Sequence, residues 1–255
     1  DHGAWAAGLM RHAATVLRLA ALGLLLAFLL APQRFAPLFA PLTAGGAPPI
    51  YDQGDLWSLA LSHLATVLVA CAASIVIAVA LGILVTRAGG QEFLPLSRAV
   101  VNFGQTFPPV AVLALAVPLV GFGEEPTLIA LFLYGLLPIF ENTVVGLRTC
   151  PAAVLEAASG MGMSGRQRLV SVELPLAMPL ILEGIKISLV INIGTATLGS
   201  TVAAKGLGEV IIAGLLSNNT AFVLQGGLAT GLMAVLLYDG VAALERRLCR
   251  SARID

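Results

Sequence analysis

The chain has 255 residues, 58% of them hydrophobic and only 11% charged, and its formal net charge is zero. A soluble domain carries roughly 25% charged residues, so this composition, with a mean hydropathy of +0.95, excludes a soluble globular domain and marks an all-α polytopic membrane protein. No basic block points to nucleic acid and no His/Cys/Asp/Glu spacing suits a metal.

A spanning helix needs about 20 mostly apolar residues. The pattern predicts six spans, at 12–31, 58–86, 97–120, 126–147, 178–203 and 220–244. The first run lacks a small-residue cleavage signature and reads as a retained span, not a signal peptide. Residues 32–57 form a Pro/Gly-rich outer linker, with Phe35, Phe39, Tyr51 and Trp57 expected at the membrane interface. The second span is long enough to tilt or project beyond a bilayer. The third and fourth hold Pro108, Pro109, Pro118 and Pro138, which predict kinked or broken helices. The expected organisation is an N-terminal helix and linker over 1–57, a core of five spans over 58–247 and a tail over 248–255.

Between the fourth and fifth spans, residues 148–175 form a polar interruption. Pro151 suits a first helical turn, and Ala152 to Ala158 are good helix formers. Gly160 and Gly162 break that helix, and Ser164 with Gln167 forms a capping box that opens another. Pro175 and Pro179 then punctuate the entry to the next hydrophobic run. The expected product is a helix, a glycine turn and a second short helix outside the membrane. Glu156 is expected to hold this loop by pairing with an arginine or accepting backbone N–H bonds.

Charge sets the orientation. With the N-terminus inside, every Lys and Arg except Arg34 and Lys205 falls on inner loops or flanks. The same assignment places Asp52, Asp55, Glu124 and Glu125 outside and 148–175 inside, with both termini cytoplasmic. Cys71 falls within a span, and Cys150 and Cys249 on the inner side, so no structural disulfide is expected. His12 and His63 read as interfacial residues at span ends.

In the fifth span, Ser188, Asn192, Thr195 and Gly199 recur at i, i+4, i+7 and i+11, a small, polar helical stripe opposite Leu189, Ile191, Ile193 and Leu198. Such a stripe faces either another helix or a wet path. Gln105 and Thr106, before the Pro108–Pro109 break, are either a second path lining or the edge of a plain kink. Carbonyls freed at such a break would suit a quaternary ammonium. No aromatic cage for such a cation is evident. Glu141 is expected to pair with an arginine, and Asp239 and Glu245 to be solvated or ion-paired.

Glu156-Ala157-Ala158, three residues, Gly162, nine residues, Val172, one residue and Leu174-Pro175 resembles the cytoplasmic docking loop of permease subunits in binding-protein-dependent ABC importers. From about 58 to 247 the chain is similar to the osmoprotectant branch, importers of glycine betaine, choline and carnitine. The resemblance includes Gln105-Thr106-Phe107-Pro108-Pro109, Leu136-Leu137-Pro138-Ile139 with Asn142-Thr143, and Gly160-Met161-Gly162-Met163. It extends through Val172-Glu173-Leu174-Pro175-Leu176, Ile193-Gly194-Thr195-Ala196-Thr197 and Gly206-Leu207-Gly208. Glu141 and Lys205 depart from the expected pattern.

The resemblance implies a type I ABC importer permease fold in the bacterial cytoplasmic membrane and no catalytic residue. Glu156, Ala157, Ala158, Gly162, Arg166, Arg168, Leu174 and Pro175 would couple the chain to the ATPase. ATP and Mg would be bound by two partner ATPase subunits, since no phosphate-binding loop occurs here. A second permease, identical or related, and an external binding protein would complete the importer. Alternatives are an ABC permease for another small amine or amino acid, or an ion-coupled secondary carrier, which would call for inverted repeats.

Overall fold

The computed structural model describes the backbone of residues 2–252 and the side chains of 15–248. Arg11, His12, Cys249, Arg250 and Arg253 lie outside the described side chains. The described residues form helices: α1 His2–Leu30, α2 Leu56–Thr86, α3 Leu94–Thr106, α4 Pro109–Val120, α5 Glu124–Arg148, α6 Ala152–Gly160, α7 Leu174–Ala196, α8 Gly208–Leu216 and α9 Thr220–Ala252.

Four stretches are long and apolar enough to cross a membrane unbroken: Leu56–Thr86, Glu124–Arg148, Gly165–Val202 and Thr220–Leu248. Of the other two predicted spans, 12–31 ends at a sharp bend and 97–120 contains one. Thr15–Leu30 turns by 108° into Pro32–Leu42, and Gln91–Thr106 turns by 95° into Pro109–Val120. The second bend is the predicted break. Phe107 and Pro108, each preceding a proline, take extended ψ values of 142° and 141°, because a following proline ring disfavours the helical region.

α5 is the centre of the bundle, packed most extensively against α7 and α2. Glycines let the helices approach closely. A Cβ on Gly184 would stand 2.6 Å from the Pro138 carbonyl oxygen, and one on Gly135 2.7 Å from Ser74 Oγ. The largest core joins α1, α2, α7 and α9 through Phe28, Val67, Ile193 and Phe222, among others.

Contacts sort the loops to two ends. At one end Gly123 N donates to the Val202 carbonyl, Lys205 Nζ to Ser58 Oγ, and Asn219 Nδ2 to the Pro48 carbonyl. At the other, Arg87 meets Glu173 and the Cys150 thiol donates to the Glu173 carbonyl. The bent α3–α4 pair leads from the second end to the first, as a broken crossing would.

Three expectations need correction. Two of the linker aromatics expected at the membrane interface pack inside the protein instead: Phe39 and Tyr51 are 6% and 5% exposed. Tyr51 stands edge-on to Phe222 at 5.4 Å, and Gln225 bonds both Tyr51 N and the Pro49 carbonyl. His63 is buried, its Nε2–H donating to the Ile193 carbonyl across 3.1 Å. The second loop helix is not separate, because Gly165–Val202 runs without a break into α7. A π-helical turn at Leu169–Glu173 precedes Pro175, and the widened ladder accommodates the ring and missing N–H of that proline.

Several charged residues within the bundle are paired. Arg98 forks onto Glu141 with two bonds of 2.7 Å. Arg18 meets Asp239 at 2.9 Å, tying α1 to α9, and Lys186 holds Glu183 and Glu245. Asp239 and Glu245 thus pair with Arg18 and Lys186. Cys71 and Cys150 are free thiols.

Candidate functional site

Residues 151–175 build a compact projection on the second end of the bundle. Pro151, with ψ 129°, starts α6, whose Ala158 is buried while Glu156 and Ala157 are exposed. The helix closes in a left-handed turn. Gly162 has φ +80°, its N–H bonds the Ser159 carbonyl, and Met163 N–H bonds the Ala158 carbonyl. This is the Schellman pattern of a helix C-terminus, in which glycine carries no Cβ penalty. Nothing lies within 4 Å of a Cβ placed on Gly162, so its requirement within this chain is conformational and not one of space.

Ser164 then caps the next turn. Its hydroxyl accepts from Gln167 N at 3.3 Å, while Gln167 Oε1 accepts from Ser164 N at 2.9 Å. The predicted capping box is present in both halves. Arg166 points to solvent. Leu174 packs against the small apolar cluster of Leu147, Ala177 and Ile181, so it fastens the projection to α5 and α7. Pro175 occupies the first turn of α7.

The loop's electrostatic anchor is not Glu156. That carboxylate is exposed and makes no hydrogen bond or ion pair among the described residues. Glu173 is the anchor, with a side chain only 5% exposed. It receives Arg87 Nη2 at 2.5 Å on one oxygen and Arg168 Nε at 3.0 Å on the other. Arg168 also donates to Ser159 Oγ at 2.9 Å, tying the anchor to α6. Sequence reasoning placed Glu173 inside the motif but gave it no role. The signal available was a lone acid in an otherwise apolar run, with two arginines within reach of that loop.

The proposed path residues divide. Ser188 and Asn192 are fully buried and point, with Ser74, at the backbone of Gly135 on α5. Among the described residues, neither the oxygen nor the nitrogen of the Asn192 amide has a hydrogen-bond partner. Gly199 is buried against Thr127. These three positions therefore serve helix packing in the protomer and line no open surface. They are inside because α5 approaches α7 at its glycines. Thr195 is half-buried, next to Gly194, which faces open space with Val190 on the accessible side of α7. At the break, Thr106 is exposed. Gln105 Nε2 donates to the Tyr134 carbonyl at 2.9 Å, and the Tyr134 hydroxyl donates to the Phe107 carbonyl. Gln105 and Tyr134 thus latch the bend, satisfying a carbonyl at the helix end.

Residues 78–250 match the family model described as binding-protein-dependent transport system inner membrane component. The chain belongs to this family. Among relatives of this inner-membrane component is an osmoprotectant import permease protein, OsmY, of Salmonella typhimurium. It is 41% identical over 196 residues, 77% of this chain and 83% of the relative. A glycine betaine/carnitine/choline transport system permease protein, OpuCB, of Bacillus subtilis is 34% identical over 206 residues, covering 81% and 91%. Among solved structures, the inward-facing MetNI methionine ABC transporter aligns with a TM-score of 0.64 at 22% identity, covering 78% of this chain and 96% of the other. The all-helical fold is that of an ABC importer permease. The chain is a transport subunit embedded in a membrane, and the family match includes the whole 148–175 loop.

Proposed function

We propose that this chain is the transmembrane subunit of an ATP-driven importer for a compatible solute such as glycine betaine or choline. The observation that carries the reading is the projection at 151–175: an exposed helix over a Gly162 turn, with an unpaired Glu156 on its outer face and a buried anchor beneath. A carboxylate left exposed on a rigid knob is available to a partner. The names of the curated relatives support the solute class.

In this reading two ATPase subunits, which bind ATP and Mg, receive the projections from the cytoplasm. Two permeases, this chain with a copy or a relative, enclose a path, and an external binding protein delivers the solute. Glu156, Ala157, Gly162 and Arg166 meet the ATPase, while Ala158, Arg168, Leu174 and Pro175 hold the projection in place. Both termini face the cytoplasm. Val190, Gly194 and Thr195 of α7 and Thr106 at the break border the path. Ser188, Asn192, Gly199 and Gln105 fix these elements from behind.

The test is uptake by vesicles holding the complete importer, with labelled glycine betaine, choline and carnitine offered in turn. The expected result is accumulation of at least one of them that requires both ATP and the binding protein. Accumulation driven by an ion gradient without ATP would overturn the reading in favour of a secondary carrier.

A further inference from the structure

We propose that Glu173, Arg87 and Arg168 form the joint that makes the loop and α2 move as one body, which makes Glu173 and Arg87 positioning residues for coupling. Its importance to transport rests on the reading of 151–175 as the ATPase dock.

The chemistry begins with the cost of the site. A carboxylate taken out of water is unfavourable unless charge and hydrogen bonds replace its hydration. Glu173 meets that condition with one guanidinium on each oxygen, at 2.5 and 3.0 Å. The two arginines come from different elements. Arg87 is the residue that ends α2, and Arg168 lies in the loop. The Arg87 and Arg168 side chains remain about a third exposed, 32% and 34%, although Arg87 Nε is buried without a hydrogen-bond partner among the described residues, and the buried carboxylate depends on both of them.

The joint collects four pieces of backbone. Arg87 brings the end of α2, and Glu173 the start of α7. Arg168 reaches Ser159 on α6, and the Cys150 thiol, at the foot of α5, donates to the Glu173 carbonyl at 3.7 Å. Without the charge, α6 would be held by its glycine turn and the apolar contact of Leu174. A push on α6 would then be absorbed locally. With it, displacement of the projection is carried into α2 and α7, which flank the central α5. The π-helical turn at Leu169–Glu173 places the carboxylate within reach of both arginines, and such turns recur at functional positions.

The experiment uses the full importer in lipid vesicles, with Cys71, Cys150 and Cys249 replaced by serine. Nitroxides are attached through Ala88→Cys and Ala153→Cys, exposed positions beyond α2 and on α6. Their separation is measured by pulsed electron resonance, with the ATPase nucleotide-free and vanadate-trapped. The expected distribution is narrow and the same in both states. Glu173→Gln keeps the shape and removes the charge. It should broaden the distribution at least twofold and raise the ATP hydrolysed per glycine betaine moved at least tenfold. Adding Arg87→Gln to Glu173→Gln should broaden it no further, since both remove one interaction. Should Glu173→Gln fail to assemble, Arg87→Lys, which keeps the charge and loses the planar fork, decides the matter by a smaller broadening. A distribution as narrow as wild type in either variant would overturn the proposal. Loss of ATPase association in Glu156→Ala reports on the dock and not on the joint. If the wild type moves none of glycine betaine, choline and carnitine, the solute reading fails while the distances still judge the joint.

Discussion

At Gly162 the constraint is the sign of one dihedral. Its φ of +80° with open space around it means that any side chain fits but most backbones do not. Left-handed conformations cost roughly 1–2 kcal/mol for ordinary L-residues, and asparagine tolerates them better than most; a β-branched residue there is an outlier. Gly162→Asn is therefore expected to keep most transport, and Gly162→Val to lose most of it, as measured by uptake at equal complex yield. Equal activity in the two variants would remove the backbone explanation. Glu156 makes the opposite kind of prediction. Because its carboxylate has no hydrogen-bond or ion-pair partner among the described residues, Glu156→Ala should change permease stability by less than about 0.5 kcal/mol. Its ATPase affinity should still fall, measured by co-purification over a salt series. The sequence made the motif legible and misassigned its charges. Spacing cannot say which of two glutamates is buried, and that depends on Arg87, which is 86 positions away from Glu173 in the chain.

Among the elements, those with local causes were the legible ones. The capping box at Ser164 and the broken helix at Pro108–Pro109 follow from nearby residues, as does the start of α2 at Leu56, which was expected two residues later. Asp55 accepts from Ser58 N at 2.8 Å as an N-cap should. The face of α7 was not legible. Leu189 and Ile193 on one side and Ser188 and Asn192 on the other are all buried, while apolar Ile187 and Val190 are exposed. A helix covered on most sides has no single polar face to read. The interior position of Asn192 gives a specific expectation. Asn192→Leu inserts a branched side chain beside Ser74, Ser188 and Gly135, and overpacking of this kind costs typically 1–3 kcal/mol. The melting temperature of the purified complex should fall by several degrees, whereas Thr195→Leu on the half-open side should change it little and lower uptake. A stable Asn192→Leu complex with reduced uptake would place Asn192 on the path after all.

For the whole molecule, charge and geometry agree on two ends. The Arg87, Arg148 and Arg168 end carries the projection, and the other holds Asp52, Asp55, Glu124 and Glu125 beside the pinned linker. Hydropathy predicts six crossings, and the described residues hold four unbroken candidates, or up to six if each bent pair is one span. That two of them bend by 108° and 95° was visible only as proline content, because a bend's direction is set by what it packs on. The orientation follows: the projection should face the cytoplasm and be covered there by the ATPase. The measurement is the reaction of a membrane-impermeant maleimide with Ser164→Cys in a chain freed of its native cysteines. Intact cells should leave the site unlabelled, while Gly45→Cys in the linker reacts. Inside-out vesicles stripped of ATPase should label it fully, and adding the ATPase back should slow labelling at least tenfold. Labelling of Ser164→Cys in intact cells, or a rate unchanged by bound ATPase, would contradict the account.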